Sequence, residues 1–131
     1  PFFEDRVFKV FNEAYENIIN GNFYYRYMAN RKCYKILLND IIYFESQKRK
    51  ITIHLTNGIQ KQYYDKMDAV QKKLEQVKGD FWRIHQSILV NAKYIVSKGF
   101  DHIELSNGQI LNISEDRRKE INEQYIGNIN R

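Results

Sequence analysis

Cysteine and proline are nearly missing, with one of each in 131 residues. Cys33 has no second cysteine to bond. A disulfide-stapled scaffold is therefore excluded, and a lone thiol fits a reducing, cytoplasmic setting. No apolar run approaches the roughly 20 residues that span a bilayer, so no membrane partner is expected. There is no glycine-rich phosphate loop and no β-α-β alternation. His85 stands without cysteine, aspartate or a second histidine at ligand spacing, so no metal or other cofactor is expected. No motif supplies an acid partner or an oxyanion hole for a Ser-His pair. No catalytic residue is assigned, and the chain does not read as an enzyme. Acidic residues are the minority charge, 16 against 21 basic ones, for a net +5. That balance favours a polyanionic partner without singling one out.

Aromatic residues are plentiful: ten Tyr and eight Phe in a chain that is 43% hydrophobic. One domain of this length can build a real core from them. Phe3, Val7, Phe11, Ala14 and Ile18 recur at three- and four-residue steps, which predicts an amphipathic helix over residues 1–19. Glu4 and Asp5 sit at the positive end of its dipole, and Asn20-Gly21-Asn22 stops it. The sequence then changes rhythm. Phe23–Tyr27, Lys32–Leu38, Ile41–Ser46, Lys50–Leu55 and Ile59–Tyr63 are short β-branched or aromatic runs bounded by turn residues, and they read as strands.

Ile53-His54-Leu55-Thr56-Asn57-Gly58-Ile59 and Ile103-Glu104-Leu105-Ser106-Asn107-Gly108-Gln109-Ile110 each read as a hairpin. Asn-Gly takes the positive φ angles of a tight turn cheaply. Met67, Val70, Leu74 and Val77 share one face, which predicts a helix over Asp65–Val77. Ile95–Lys98, Asp101–Leu105 and Gln109–Ile113 read as strands. Ser114 is placed to cap a last helix, with Glu115 and Asp116 in its first turn. The predicted fold class is mostly β and antiparallel, with a few short helices, preceded by the amphipathic one.

Phe81 to Ile95 carries the most information. Period-2 alternation puts Arg83, His85 and Ser87 on one face of an extended segment and Trp82, Ile84 and Gln86 on the other. The apolar Ile88-Leu89-Val90 that follows would anchor a loop on the core. Such a surface grips something rather than reacting with it. Asn91, after the apolar plug, reads as a residue that ties up backbone groups.

The run Ile41-Ile42-Tyr43-Phe44-Glu45-Ser46, a basic turn, a strand ending in Asn-Gly, a helix, and then Phe81-x-Arg83-x-His85-x-Ser87-x-x-Val90-Asn91-x-x-Tyr94-Ile95 strongly resembles the LytTR DNA-binding domain. This is the output module of LytR/AlgR/AgrA-type bacterial response regulators, and the resemblance runs from about Phe23 to about Gln124. It implies a nearly all-β domain at residues 23–131 that puts loops, not a recognition helix, into successive major grooves. It implies two copies on promoter direct repeats of double-stranded DNA. Its contact regions fall on Lys48, Arg49 and Lys50, on His85, Gln86 and Ser87 with Arg83 beside them, and on Ser114 to Arg118, including Arg117 and Arg118. The chain departs from the pattern at Asp116, where relatives often carry Arg. Residues 1–22 resemble the last helix of a receiver domain plus a linker, which implies an upstream receiver phosphorylated by a histidine kinase.

Each feature has a plainer reading. Lys48-Arg49-Lys50 can be a solvated hairpin tip, and Arg83 a brace for its own loop. The Tyr24-Tyr25-Arg26-Tyr27 and Tyr63-Tyr64 runs can be ordinary strand residues or platforms for single-stranded bases. A protein-interaction module and a single-strand or RNA binder remain the alternatives to a duplex reader.

Overall fold

The computed structural model describes residues 23–77 and 79–129. The helix predicted over residues 1–19 lies outside the described residues. The rest is mostly antiparallel β, as expected. Strands β3 (Ile41–Gln47), β4 (Lys50–Leu55), β5 (Gln60–Tyr64), β6 (Phe81–His85) and β7 (Ile88–Asn91) form a five-stranded sheet in the order β5-β4-β3-β7-β6. Strands β1 (Tyr24–Ala29) and β2 (Lys32–Leu37) pair by themselves. Strands β8 (Ile95–Lys98), β9 (His102–Leu105) and β10 (Ile110–Asn112) make a three-stranded sheet. Helices α1 (Met67–Gln76) and α2 (Arg118–Ile129) complete the architecture.

Alternation along the strands gives the central sheet two apolar faces. Phe44, Ile51, Ile53 and Leu89 meet Met67, Val70 and Leu74 of α1 and Tyr25 and Tyr27 of β1. Tyr43, Trp82, Ile84 and Val90 meet Ile103 and Leu105 of β9, Ile113, and Ile121 of α2. The sheet is thus the middle layer of a sandwich, and its turns protrude at the ends.

The two predicted Asn-Gly hairpins are present, with an unexpected turn type. Only Gly58 (φ 85°) and Gly108 (φ 88°) take positive φ, and Asn57 and Asn107 do not. Each asparagine instead accepts a bond from the backbone N–H two residues on, both at 2.9 Å. This is the longer hairpin loop, a turn closed by a left-handed glycine. Paired positive φ angles occur elsewhere, at Asn30-Arg31 (51° and 63°) and at Lys48-Arg49 (51° and 67°).

Two helix starts differ from expectation. Asp65 precedes α1, because its N–H is bonded to the Arg49 carbonyl at 2.9 Å and its carboxylate accepts from the Lys66 N–H. Ser114 makes no side-chain cap. Its N–H donates to the Ile84 carbonyl at 2.8 Å, which ties it to β6. A 3-10 turn, Glu115–Arg117, then leads into α2.

Asn91 is buried and acts as a backbone tie. Its Nδ2 donates to the carbonyls of Ile41 (3.0 Å) and Leu38 (3.3 Å), and its Oδ1 accepts from the Lys93 N–H (3.1 Å). Asn91→Ala removes these ties from the interior, where the Leu38 carbonyl keeps the Ile41 N–H, and is expected to cost about 2 kcal/mol, read as a lower midpoint in urea unfolding.

Candidate nucleic-acid interface

β3 joins β4 through only Lys48 and Arg49, since Gln47 pairs with Lys50. A two-residue hairpin loop needs positive φ at both positions, which Asn and Gly reach most easily. Here Lys and Arg hold that strained geometry, and both side chains are exposed. Backbone strain of this kind concentrates where side chains have work to do.

The segment from Phe81 does not continue as one extended run. β6 ends at His85, Gln86 and Ser87 make a turn, and Ile88–Asn91 returns as the strand between β6 and β3. The predicted alternation therefore holds through Ile84, with Trp82 and Ile84 buried, and breaks at the turn. Gln86 does not share their face; it sits at the exposed tip.

The two turns are neighbours at one end of the sheet. The Ser46 N–H donates to the Ser87 carbonyl at 2.8 Å. With strands about 4.8 Å apart, the axes of the two hairpins lie about 10 Å apart. The start of α1 closes the third side. Together these elements line an open cleft of about 470 Å³ bordered by Ser46, Lys48, Arg49, Asp65, Lys66, Met67, Asp68, Arg83, His85, Gln86 and Ser87.

The charges within the cleft are unequally committed. Arg83 is nine-tenths buried. Its Nη1 donates to Asp68 Oδ1 at 2.5 Å and to Gln71 Oε1 at 2.9 Å, and its Nη2 donates to the Gln86 carbonyl at 2.5 Å. It thus straps the β6–β7 turn to α1. The hydrogen bond and charge of Arg83, with Arg117 and Lys72 adding to the field, hold the Asp68 carboxyl below the ordinary carboxylate range. Asp65 is paired with Lys73 at 3.7 Å. Among the described residues, Lys48, Arg49, Lys66 and Arg117 form no ion pair within 4 Å. Both cleft carboxylates are therefore neutralised locally, while four cations remain available. At His85, Nδ1 accepts from the Ser87 N–H at 3.1 Å, with Ser87 Oγ at 2.9 Å. A neutral ring so held carries its proton on Nε2, away from that turn.

The nine sequence-predicted residues do not all converge. Lys48, Arg49, Arg83, His85, Gln86 and Ser87 line the cleft, and Arg117 acts on Asp68 at its edge. Lys50 opens β4 and alternates away from Ile51, which faces α1. Arg118 turns toward the Ile113 carbonyl (3.3 Å) and the ring of Phe100. Sequence reasoning missed Lys66 and Asp68. Their proximity is set by the Asp65–Arg49 backbone bond, which no local pattern announces.

Among the described residues, no group of three or more His, Cys, Asp or Glu side chains is arranged to hold a metal ion. None of their helices is long and apolar enough to cross a membrane. No curated protein matches the chain. A solved structure does: the LytTr DNA-binding domain of a methyl-accepting/DNA response regulator from Bacillus cereus. It has a TM-score of 0.62 at 13% identity, covering 76% of this chain and 94% of that one, a likeness of fold. The family model of the LytTr DNA-binding domain matches residues 31–126, and the chain belongs to the LytTR family of DNA-binding domains.

Proposed function

We propose that this chain is the sequence-specific, duplex-DNA-reading output domain of a two-component transcriptional regulator, acting in the cytoplasm and not as an enzyme. One observation carries the reading. The Lys48-Arg49 tip and the His85-Gln86-Ser87 turn project side by side from one sheet end, about 10 Å apart, and a major groove is about 12 Å wide. Two rigid tips on that spacing match a single groove. Lysines set register on phosphates, while Arg49 and Gln86 reach base edges, guanine for the guanidinium and adenine for the amide. Arg117, without an ion pair among the described residues, adds a further cation for the same duplex.

Residues 1–22 complete the proposal as the tail of a receiver domain. Phosphorylation of that receiver would raise the local concentration of a second copy on adjacent promoter repeats.

The test is a salt-titrated binding assay against a randomised duplex pool, with the selected sequence then compared with a scrambled one. Lys48→Ala is expected to weaken both sequences alike and to reduce the slope of log K against log salt by about 0.9. Gln86→Ala is expected to cost about 1–3 kcal/mol at one base position only. Equal wild-type affinity for selected and scrambled duplexes at physiological salt removes the sequence-reading claim. A preference for single strands in competition replaces it with a different nucleic-acid partner.

A further inference from the structure

We propose that the interface extends beyond the two tips onto a pair of aromatic–cation flanks, Tyr64 with Lys50 and Phe100 with Arg118, which hold the sugar-phosphate backbone of the duplex. The proposal rests on the duplex-DNA reading above.

The starting point is exposure. Among the described residues most aromatic side chains are buried or half-buried, with Tyr25 at 1% and Phe44 at 0% exposed. Against that trend, Tyr64 is 78% and Phe100 is 72% exposed, the highest among the large hydrophobic side chains of the described residues. Neither lies on a random part of the surface. Tyr64 stands directly across the β4–β5 ladder from Lys50. It is one residue from Asp65, whose N–H is bonded to Arg49 at the tip. Phe100 lies in the β8–β9 turn. The Ile113 N–H donates to the Asp101 carbonyl, and the Ser114 N–H donates to the Ile84 carbonyl, both at 2.8 Å. Asp101, next to Phe100, is thus linked to the end of β6 through Ile113 and Ser114. Neither ring lines the cleft: Tyr64 shares the sheet face of Lys50, beside the tip, and Phe100 adjoins the residue that this link ties to β6.

Each ring accompanies a cation that the groove tips do not use. The Arg118 guanidinium lies 5.5 Å from the centre of the Phe100 ring. Its Nε donates to the Ile113 carbonyl. Its other N–H donors have no hydrogen-bond partner among the described residues. A guanidinium flat against an aromatic ring keeps its edge free to bond phosphate oxygens. The orientation matters because Glu115 and Asp116 are exposed just before it and would repel phosphate. The ring holds Arg118 toward its own side, where the Asp101 carboxylate is bonded to His102 Nδ1 at 2.9 Å. Lys50 and Tyr64 offer an ammonium and a phenol O–H side by side. Apolar ring faces packed against deoxyribose would exclude water from both phosphate contacts, as aromatic residues beside arginine do in protein interfaces.

The experiment uses the full chain and two duplexes carrying the selected sequence. One ends at the bases read by the tips. The other extends by about half a helical turn on each side. Wild-type protein is expected to bind the longer duplex more tightly. Tyr64→Ala and Phe100→Ala should each lose about three- to tenfold on the longer duplex and nothing on the shorter. Phe100→Tyr, which keeps the ring, should restore binding. Both positions are exposed, so thermal melting should not move. Wild-type-like binding of the longer duplex by either alanine variant overturns the proposal if Arg49→Ala has lost affinity in the same assay. An Arg49→Ala protein that also binds normally overturns the duplex reading beneath it. A loss confined to duplexes with two sites assigns the rings to a contact between copies and overturns the proposal as well.

Discussion

Replacing Lys48 and Arg49 with Asn and Gly is expected to give a more stable protein that has lost most of its DNA affinity. The two effects have separate physical origins in the same residues. In the native turn, Lys48 and Arg49 hold φ at 51° and 67°, a region in which a Cβ crowds the following carbonyl at a cost of about 1–2 kcal/mol per residue. Asn-Gly relieves much of that strain, since it is the favoured pair for this two-residue loop. A net gain of about 1–2 kcal/mol should raise the melting temperature by roughly 5–10 °C in a domain of this size. The substitution also removes two exposed cations that border the cleft. Losing one phosphate contact and one base contact should weaken binding to the selected duplex by about 100-fold at physiological salt. Calorimetry and a binding titration on one preparation test both effects. A double variant that is stabilised and still binds like wild type would mean that the tip is only a solvated turn.

That turn also marks the limit of what the residues reveal about the fold. The Asn57-Gly58 and Asn107-Gly108 hairpins are legible because their chemistry is local, although asparagine acts through its side chain rather than through its own φ. The helix at Met67–Gln76 is legible from its apolar stripe. The Lys48-Arg49 turn is legible from the strands on either side of it, but its two-residue geometry is not, because neither residue favours positive φ. The geometry is imposed by the register of β3 on β4, which pairs Gln47 with Lys50. The same distinction applies at the site. The cationic and amide side chains could be named from the pattern Arg83-x-His85-x-Ser87 and its resemblance. The roles of Lys66 and Asp68 depend on a long-range backbone bond from Asp65 to Arg49. The final helix begins at Arg118 instead of after Ser114 because the Ser114 N–H is drawn to Ile84, and tertiary pairing outweighs the capping signal. Each miss follows from a contact distant in sequence.

Arg83→Ala is expected to separate reading from gripping. In the native protein the guanidinium is strapped to Asp68 and Gln71 of α1 and to the Gln86 carbonyl, which fixes the turn that carries Gln86. Without it the turn keeps its ladder bonds but loses its tie to α1. Truncating this nine-tenths-buried side chain, with its bond to Gln71, should cost about 2 kcal/mol of stability. Discrimination between selected and scrambled duplexes should fall by about tenfold or more, because a base contact depends on a fixed tip. Affinity for the scrambled duplex should change little, since Lys48 and Arg49 remain. Acid adds an independent check. The Asp68 carboxyl is held below its ordinary value of 3.8 by Arg83. A depressed carboxylate contributes stability that is fully present above its unfolded value and is lost as pH falls through the folded one. Wild type should therefore lose stability more steeply than Arg83→Ala below about pH 4. The salt slope decides between a strap and a DNA contact. If Arg83 touched phosphate, its loss would lower the slope by about 0.9 and weaken all sequences together. An unchanged slope with lost discrimination is the signature of a residue that acts through Gln86.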